Sequence, residues 1–254
     1  FFETNKNFEN VLDLILSGRY ERLDNNSSFD PRISFKYLAL ENFFLRGSFG
    51  TSFSAPSMAQ MFSSEIKLGS VRDINDSPFV RLALLGNQYL KPATSENINF
   101  GFRWNVTNEL DLLIDYWRID YKNRIEVESP QVLLNIDPFA PSVTRNQFGE
   151  LIAVSTSYFN EAKTKVSGID AEINFLKIVE IGEFSYSIKA TQLSEFLTPE
   201  NQGGDNFNMV NRVGNFNFDA NTHSLPKLRL NSFFSWTIND LMISINSRYV
   251  DGYS

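Results

Sequence analysis

Residues 97–106 alternate without a break. Ile98, Phe100, Phe102, Trp104 and Val106 take one phase, and Asn97, Asn99, Gly101, Arg103 and Asn105 take the other. A period of two places such sets on opposite faces of a strand, whereas a helix would scatter both around its circumference. The division recurs along the chain. Ile169, Ala171, Ile173 and Phe175 oppose Gly168, Asp170, Glu172 and Asn174, and Phe184, Tyr186, Ile188 and Ala190 oppose Ser185, Ser187, Lys189 and Thr191. Leu241, Ile243 and Ile245 oppose Met242, Ser244 and Asn246, and Leu12, Leu14 and Leu16 oppose Asp13, Ile15 and Ser17. The longest unbroken apolar runs are four residues, as in Leu82–Leu85, against about 20 for a membrane-spanning helix. The chain is all-β, and any crossing of a bilayer must use strands.

The pattern predicts about nine strands, over 8–22, 30–38, 43–54, 94–106, 109–125, 156–178, 183–197, 226–238 and 241–253. Short polar turns fall near Ala39–Asn42, Asn105–Asn108, Val179–Gly182 and Thr237–Asp240, and long connections fill 55–93, 126–155 and 198–225, with a shorter one near 23–29. Short turns at one end and long loops at the other describe an antiparallel meander of the transmembrane β-barrel kind. Such a barrel must close, because an open edge in lipid leaves backbone groups unpaired. The expectation is therefore a single partial transmembrane β-barrel over 1–254, a fragment truncated at both ends.

Alternation alone leaves the orientation open. Apolar residues point outward in a membrane barrel and inward in a soluble or surface-displayed β-rich binding module. Six aromatics favour the membrane: Tyr37, Phe43, Trp104, Phe175, Phe184 and Trp236 all lie in the apolar phase, near short turns. They are expected to form a lipid-facing girdle at one rim. The opposite phase then lines a lumen, with Arg46, Arg103, Asp170, Glu172, Lys189, Arg229 and Arg248 as charged candidates, alongside Arg19 and Lys36. Mean hydropathy of −0.23 looks soluble, yet alternating strands average their two faces to that value.

Chemistry of other kinds finds little support. The balance of 23 basic against 30 acidic residues lacks the basic footprint of a nucleic-acid partner. No cysteine is present, which removes disulfides, thiolate metal sites and cysteine nucleophiles. No hydrolase elbow, zinc-protease, phosphate-loop or dinucleotide motif occurs. His223, the only histidine, reads as a solvated loop residue. Asp73, Asp76, Asp205 and Asp219 lack calcium-loop spacing. No enzyme activity, cofactor or metal is expected. Segments 126–155 and 198–225 are rich in Asn and studded with aromatics, a composition suited to a polar organic ligand held at one barrel end.

A family resemblance sharpens this reading. LRGSFGTSFSAPS (45–57), NQYLKPATSENINFGFRW (87–104) and LLIDYWRIDYKNRI (112–125) resemble barrel segments of TonB-dependent outer-membrane receptors, and KVSGIDAEINF (165–175), GEFSYSIKATQL (182–193) and LPKLRLNSFFSW (225–236) follow in the family's order. Ser54 stands where the family pattern has Arg, and Ala93 where it has Glu. The resemblance implies a middle-to-late portion of a 22-stranded barrel in the outer membrane of a Gram-negative bacterium. It also implies uptake of a scarce small-molecule nutrient (an iron–siderophore, cobalamin or carbohydrate), energised by TonB acting on a plug domain. Neither a plug domain nor a TonB-engaging segment is read in these residues. A passive porin-like barrel is the remaining alternative.

Overall fold

The computed structural model of the protein describes residues 2–8, 11–23, 26–200, 208–217 and 223–253. Ten long strands form the main path of one sheet: β1 (Phe2–Phe8), β2 (Leu12–Leu23), β3 (Asn26–Leu40), β4 (Phe43–Ser54), β7 (Ala93–Asn105), β8 (Leu110–Val127), β10 (Leu151–Val179), β11 (Gly182–Pro199), β13 (Leu228–Ile238) and β14 (Leu241–Val250). Every neighbouring pair on this path is antiparallel. Among the described residues β1 and β14 do not pair, so the sheet has two free edges.

The count differs from the predicted nine. The strand expected over 8–22 is β2, and a further strand, β1, precedes it and pairs with it. Thr4, Asn5, Lys6 and Asn7 are polar in both phases, so β1 carries no alternation to read and is recruited by backbone pairing from Phe2↔Gly18 to Phe8↔Leu12. The other turns stand where the sequence placed them. At one, Asn239 adopts a left-handed conformation, φ 49°, which asparagine tolerates better than most residues. At another, the Thr107 hydroxyl accepts from the amides of Glu109 and Leu110, both at 3.1 Å.

The long connections also differ from expectation, because two of them fold. Residues 55–92 hold α1 (Met58–Phe62) and the hairpin of β5 (Ser64–Ser70) and β6 (Phe79–Leu85). Residues 128–150 hold α2 (Pro130–Ile136) and β9 (Val143–Arg145). In the third, β12 (Met209–Asn211) returns to pair with β11. The β6 strand lies parallel to the start of β10, from Arg81↔Ala153 to Leu85↔Ser157, while β9 pairs with β10 on its own account. Thus β10, 29 residues long, begins in an outer cap and ends in the barrel wall.

Among the described residues the cluster of buried apolar side chains lies in that cap. Val71, Val80, Leu134, Leu151 and Val154 form the buried cluster, with Leu82, Leu133 and Val143 packed against it. The wall has no comparable interior. Its apolar phase is open: Phe100 is 50% exposed, and Phe49, Ile98, Trp104, Tyr116 and Ile245 are exposed as well.

Candidate functional site

The register brings the candidate charged residues Arg46, Asp170 and Arg229 into line on one face. Arg46, Gly101, Asp115, Asp170, Thr191 and Arg229 form a single cross-strand row through β4, β7, β8, β10, β11 and β13. Arg46 reaches over the intervening strand to Asp115: its Nε donates to Oδ1 at 2.9 Å, and Nη2 pairs with Oδ2. Gly101 makes that reach possible, because a Cβ there would collide with the Asp115 carboxylate and the Ile114 carbonyl. Asp115 is only 5% exposed, and a two-pronged guanidinium satisfies a carboxylate better than a point charge could.

The remaining candidates divide into two groups. Lys189 pairs with Glu172 at 3.3 Å, Asn174 donates to Glu172 at 2.9 Å, and Thr191 donates to Asp170 at 2.7 Å. Arg103 pairs with Asp111 at 2.9 Å. Arg229 and Arg248 lie apart, on the last two strands, opposite Val250 and Asn231. Near the short turns a recess of about 430 Å³ gathers Lys36, Arg46 and Arg103 beside Phe44. Most of this face is a self-neutralising wall, and in the recess Arg46 and Arg103 are paired with Asp115 and Asp111 while Lys36 lies 4.6 Å over the Phe44 ring.

The six predicted rim aromatics all lie in the apolar phase near short turns. Phe43 and Trp104 are register partners, and Phe43 meets Phe102 at 5.4 Å between ring centroids. Phe184 stacks on Trp236 at 6.0 Å and 8°, and the Trp236 indole donates to the Ile181 carbonyl at 2.7 Å. Phe175 stands opposite Tyr186, and Tyr37 opposite Leu45. The Trp236 bond ties an aromatic to the β10–β11 turn, whose Gly182 at φ 115° has no room for a side chain.

At the opposite end the cap is held by specific polar contacts. Arg145 grips both oxygens of Asp73 at 2.7 Å and donates to the carbonyls of Pro138 and Gly149, each at 3.0 Å. The guanidinium holds the Asp73 carboxyl below its usual range, against an opposing push from burial. Gln131 makes a two-way bond with the Arg72 backbone at 2.8 and 3.0 Å. These links join the β5–β6 hairpin to α2 and β9.

Between the cap and the third connection lies a cavity of about 860 Å³, lined by Lys67, Arg124, Glu126, Phe196, Phe216 and His223 among others. Arg124 is its organising residue. It contacts Glu126 at 2.7 Å, Glu161 at 2.6 Å and the Thr164 hydroxyl at 3.1 Å, and its guanidinium lies 5.5 Å from the Phe196 ring. His223, expected to be a solvated loop residue, is an exposed loop residue and stands at the lining of this cavity. Lys67, Arg124 and Glu126 were not singled out by the sequence. The available signal was the run of charge at the outer end of β8, beyond the apolar rows.

Among the described residues no group of three or more His, Asp or Glu side chains could hold a metal ion. Asp73 is engaged by Arg145, and Asp205 and Asp219 lie outside the described residues. The two departures from the family pattern prove to be register partners, Ser54↔Ala93. The Arg and Glu that the resemblance implies there are thus both missing from one cross-strand pair at the outer end of the wall.

Comparison with known proteins gives a consistent picture. A family model described as the TonB dependent receptor-like β-barrel matches residues 1–254. No curated protein matches the chain. Similar solved structures include the siderophore receptor PirA from Acinetobacter baumannii, with 18% identity and a TM-score of 0.62 over 99% of this chain and 34% of that one. A ferric enterobactin receptor mutant from Pseudomonas aeruginosa, in complex with enterobactin, gives 20% identity and a TM-score of 0.63 over 98% and 32%. A double mutant of the Serratia marcescens hemophore receptor HasR, in complex with its hemophore HasA and heme, gives 14% and 0.61 over 98% and 43%. The chain spans about a third of the length of the first of these structures, and at such identity the likeness is one of fold.

Proposed function

The chain belongs to the TonB-dependent receptor β-barrel family, and from that premise we propose that it forms part of the wall and outer cap of an outer-membrane nutrient transporter. In this reading the apolar phase meets lipid, the charged phase lines the lumen, and further strands of the whole protein complete the barrel. The six rim aromatics form the interfacial girdle on the short-turn side. The recess of Lys36, Arg46 and Arg103 faces the lumen, where a plug domain would sit and where TonB-driven movement of that plug would open a path. Receptors of this family are transport proteins, and the chain's own residues are assigned binding and positioning roles.

The observation that carries the proposal is the 860 Å³ cavity at the loop end of a barrel wall. Its lining combines Phe196 and Phe216 with Lys67, Arg124 and His223. The lining also holds Glu126 and Glu128, with Glu126 paired to Arg124, so aromatic faces beside charged groups of both signs suit a polar ligand with flat apolar surface, as ring-bearing iron chelates are. The similarity to siderophore and hemophore receptors supports that class.

The test is ligand uptake by the full-length receptor in cells with and without TonB. Replacing both Phe196 and Phe216 by Ala is expected to weaken ligand binding about tenfold or more, from lost stacking and apolar contact. Uptake should also vanish without TonB. Unchanged binding in the double variant would remove the cavity from the ligand path, and passive flux independent of TonB would contradict the transporter reading.

A further inference from the structure

The polar face of the wall changes character on the loop side of the Arg46–Asp115 row. The next row in that phase runs Ser34, Ser48, Asn99, Trp117 and Gly168, through β3, β4, β7, β8 and β10. The row beyond it holds Arg32, Asn97 and Ile119. Together they line a recess of about 680 Å³, from Arg32 and Ser34 at one side to Trp117 and Ile119 at the other. A volume of that order suits a small molecule.

Its polar groups are unspent, which sets it apart from the rest of the face. Elsewhere Arg46 grips Asp115, Arg103 pairs with Asp111, and Lys189 pairs with Glu172. In the recess, among the described residues, the side chains of Arg32, Ser34, Ser48 and Asn99 make no hydrogen bond or ion pair. Asp30, two residues along the same strand face from Arg32, is engaged by Arg19, Ser28 and Thr51. Trp117 closes the row. Its ring lies over Gly168, where a Cβ would come within 2.6 Å of Cζ2. The indole Nε1 is buried, without a hydrogen-bond partner among the described residues, so the side chain offers the recess apolar ring surface and not a donor.

We propose that this recess binds linked hydroxylated rings, as a station on the transport path below the outer cavity. The inference rests on the reading above that the polar phase lines the lumen of a transporter. A hydroxylated ring has a flat face, which an indole covers, and a rim of donors and acceptors, which an amide and hydroxyls meet. From β3 to β8 is three strand spacings, about 14 Å. One ring is too small for that span, and two or three in line match it. Arg32 brings the one uncommitted charge, while Ser34, Ser48 and Asn99 are neutral, so hydroxyl recognition dominates. Sugar rings and catechol rings share this chemistry.

The test places 5-fluorotryptophan at Trp117 of the full-length receptor in phosphatidylcholine nanodiscs and follows its fluorine resonance. The probes are maltotriose and a synthetic bis-catechol amide, each titrated through the millimolar range. A saturable shift with maltotriose assigns the recess to sugars, and one with the bis-catechol assigns it to catechols. A shift with neither would overturn the proposal. The same label at Trp104, on the opposite face, should not respond. Ser48→Ala with Asn99→Ala is expected to weaken binding of the active probe about tenfold, for two lost hydrogen bonds, while the heat resistance of the barrel holds. Asn99→Gln, which keeps the amide, should retain most of the affinity. Equal affinity in the double Ala variant would overturn the proposal. Line broadening distinguishes the two levels. Broadening of the Trp117 signal by a lipid-borne nitroxide, and not by a water-soluble gadolinium chelate, would contradict the orientation of the wall itself. Broadening by the chelate without a probe-dependent shift would contradict only the recess.

Discussion

The wall and the cap use the same strands to meet opposite demands. In the wall, Phe100 is half exposed while Asp115 is buried beneath Arg46. In the cap, Val154 is fully buried among Val71, Val80, Leu134 and Leu151. The strand β10 passes through both, packing apolar side chains inward near Val154 and outward near Ile169 and Ile173. Residue chemistry changes little along it; what changes is which side of the sheet is wet. An apolar side chain in the cap is stabilised by leaving water for a protein core. On the wall it has no core to enter, and the face is sound only where lipid covers it.

Substitutions that treat the two regions alike should break them differently. The largest effect is expected from Leu134→Ala, which opens a cavity in the cap core and costs about 2–5 kcal/mol. Amide exchange over 143–154 should accelerate while the heat resistance of the reconstituted barrel stays unchanged. Phe100→Arg places a cation on the outward wall near mid-band and should cost about 2–4 kcal/mol in a bilayer. Its measurement is the urea midpoint of the lipid-reconstituted full-length receptor, with exchange in the cap unaffected.

Gly101→Ala is expected to be next, at about 1–3 kcal/mol for overpacking. It forces the Arg46–Asp115 pair apart, and the same urea midpoint reads the loss. A combined Asp115→Asn change should recover part of it, because the crowded carboxylate no longer demands the guanidinium.

The smallest effect concerns pH in the cap. The Arg145 guanidinium lowers the Asp73 carboxyl in the folded state. Its stabilising contribution is therefore full above the ordinary carboxylate value of about 3.9, and it is lost as pH falls through the depressed folded value. Protection of cap amides, corrected for intrinsic exchange rate, should fall in that acid window. In Asp73→Asn the cap should be weaker at neutral pH and lose this dependence.

Much of the wall was legible because its register follows from parity. Ile98 to Trp104 and Ile169 to Phe175 each announce their own face, and the turn positions follow from where the alternation stops. The strand β1 was not legible, since Thr4 to Asn7 offer no apolar phase and are placed by pairing with β2. The cap was invisible for a different reason. Its core joins Val80 to Val154 through a parallel contact between segments some 70 residues apart, and no local period encodes that pairing. One local signal existed, the Ser57–Gln60 capping box that starts α1, whose spacing is readable in the sequence. For the site, parity put Arg46 in the polar phase, but Asp115 was not singled out, and the contact between them needs the strand register and the gap at Gly101. The same limit hid the surroundings of His223: a lone histidine in a loop carries no information about Arg124 and Glu126 a hundred residues earlier.

The most direct test of the two-solvent account is the environment of neighbouring wall residues. Nitroxide labels placed singly at Phe100 and Asn99 of the full-length receptor, reconstituted in lipid, should report opposite surroundings. The account predicts that the Phe100 label is relaxed by oxygen dissolved in the bilayer and shielded from a water-soluble nickel chelate, with the reverse at Asn99. A Phe100 label accessible to the chelate, together with an Asn99 label accessible to lipid-dissolved oxygen, would contradict it.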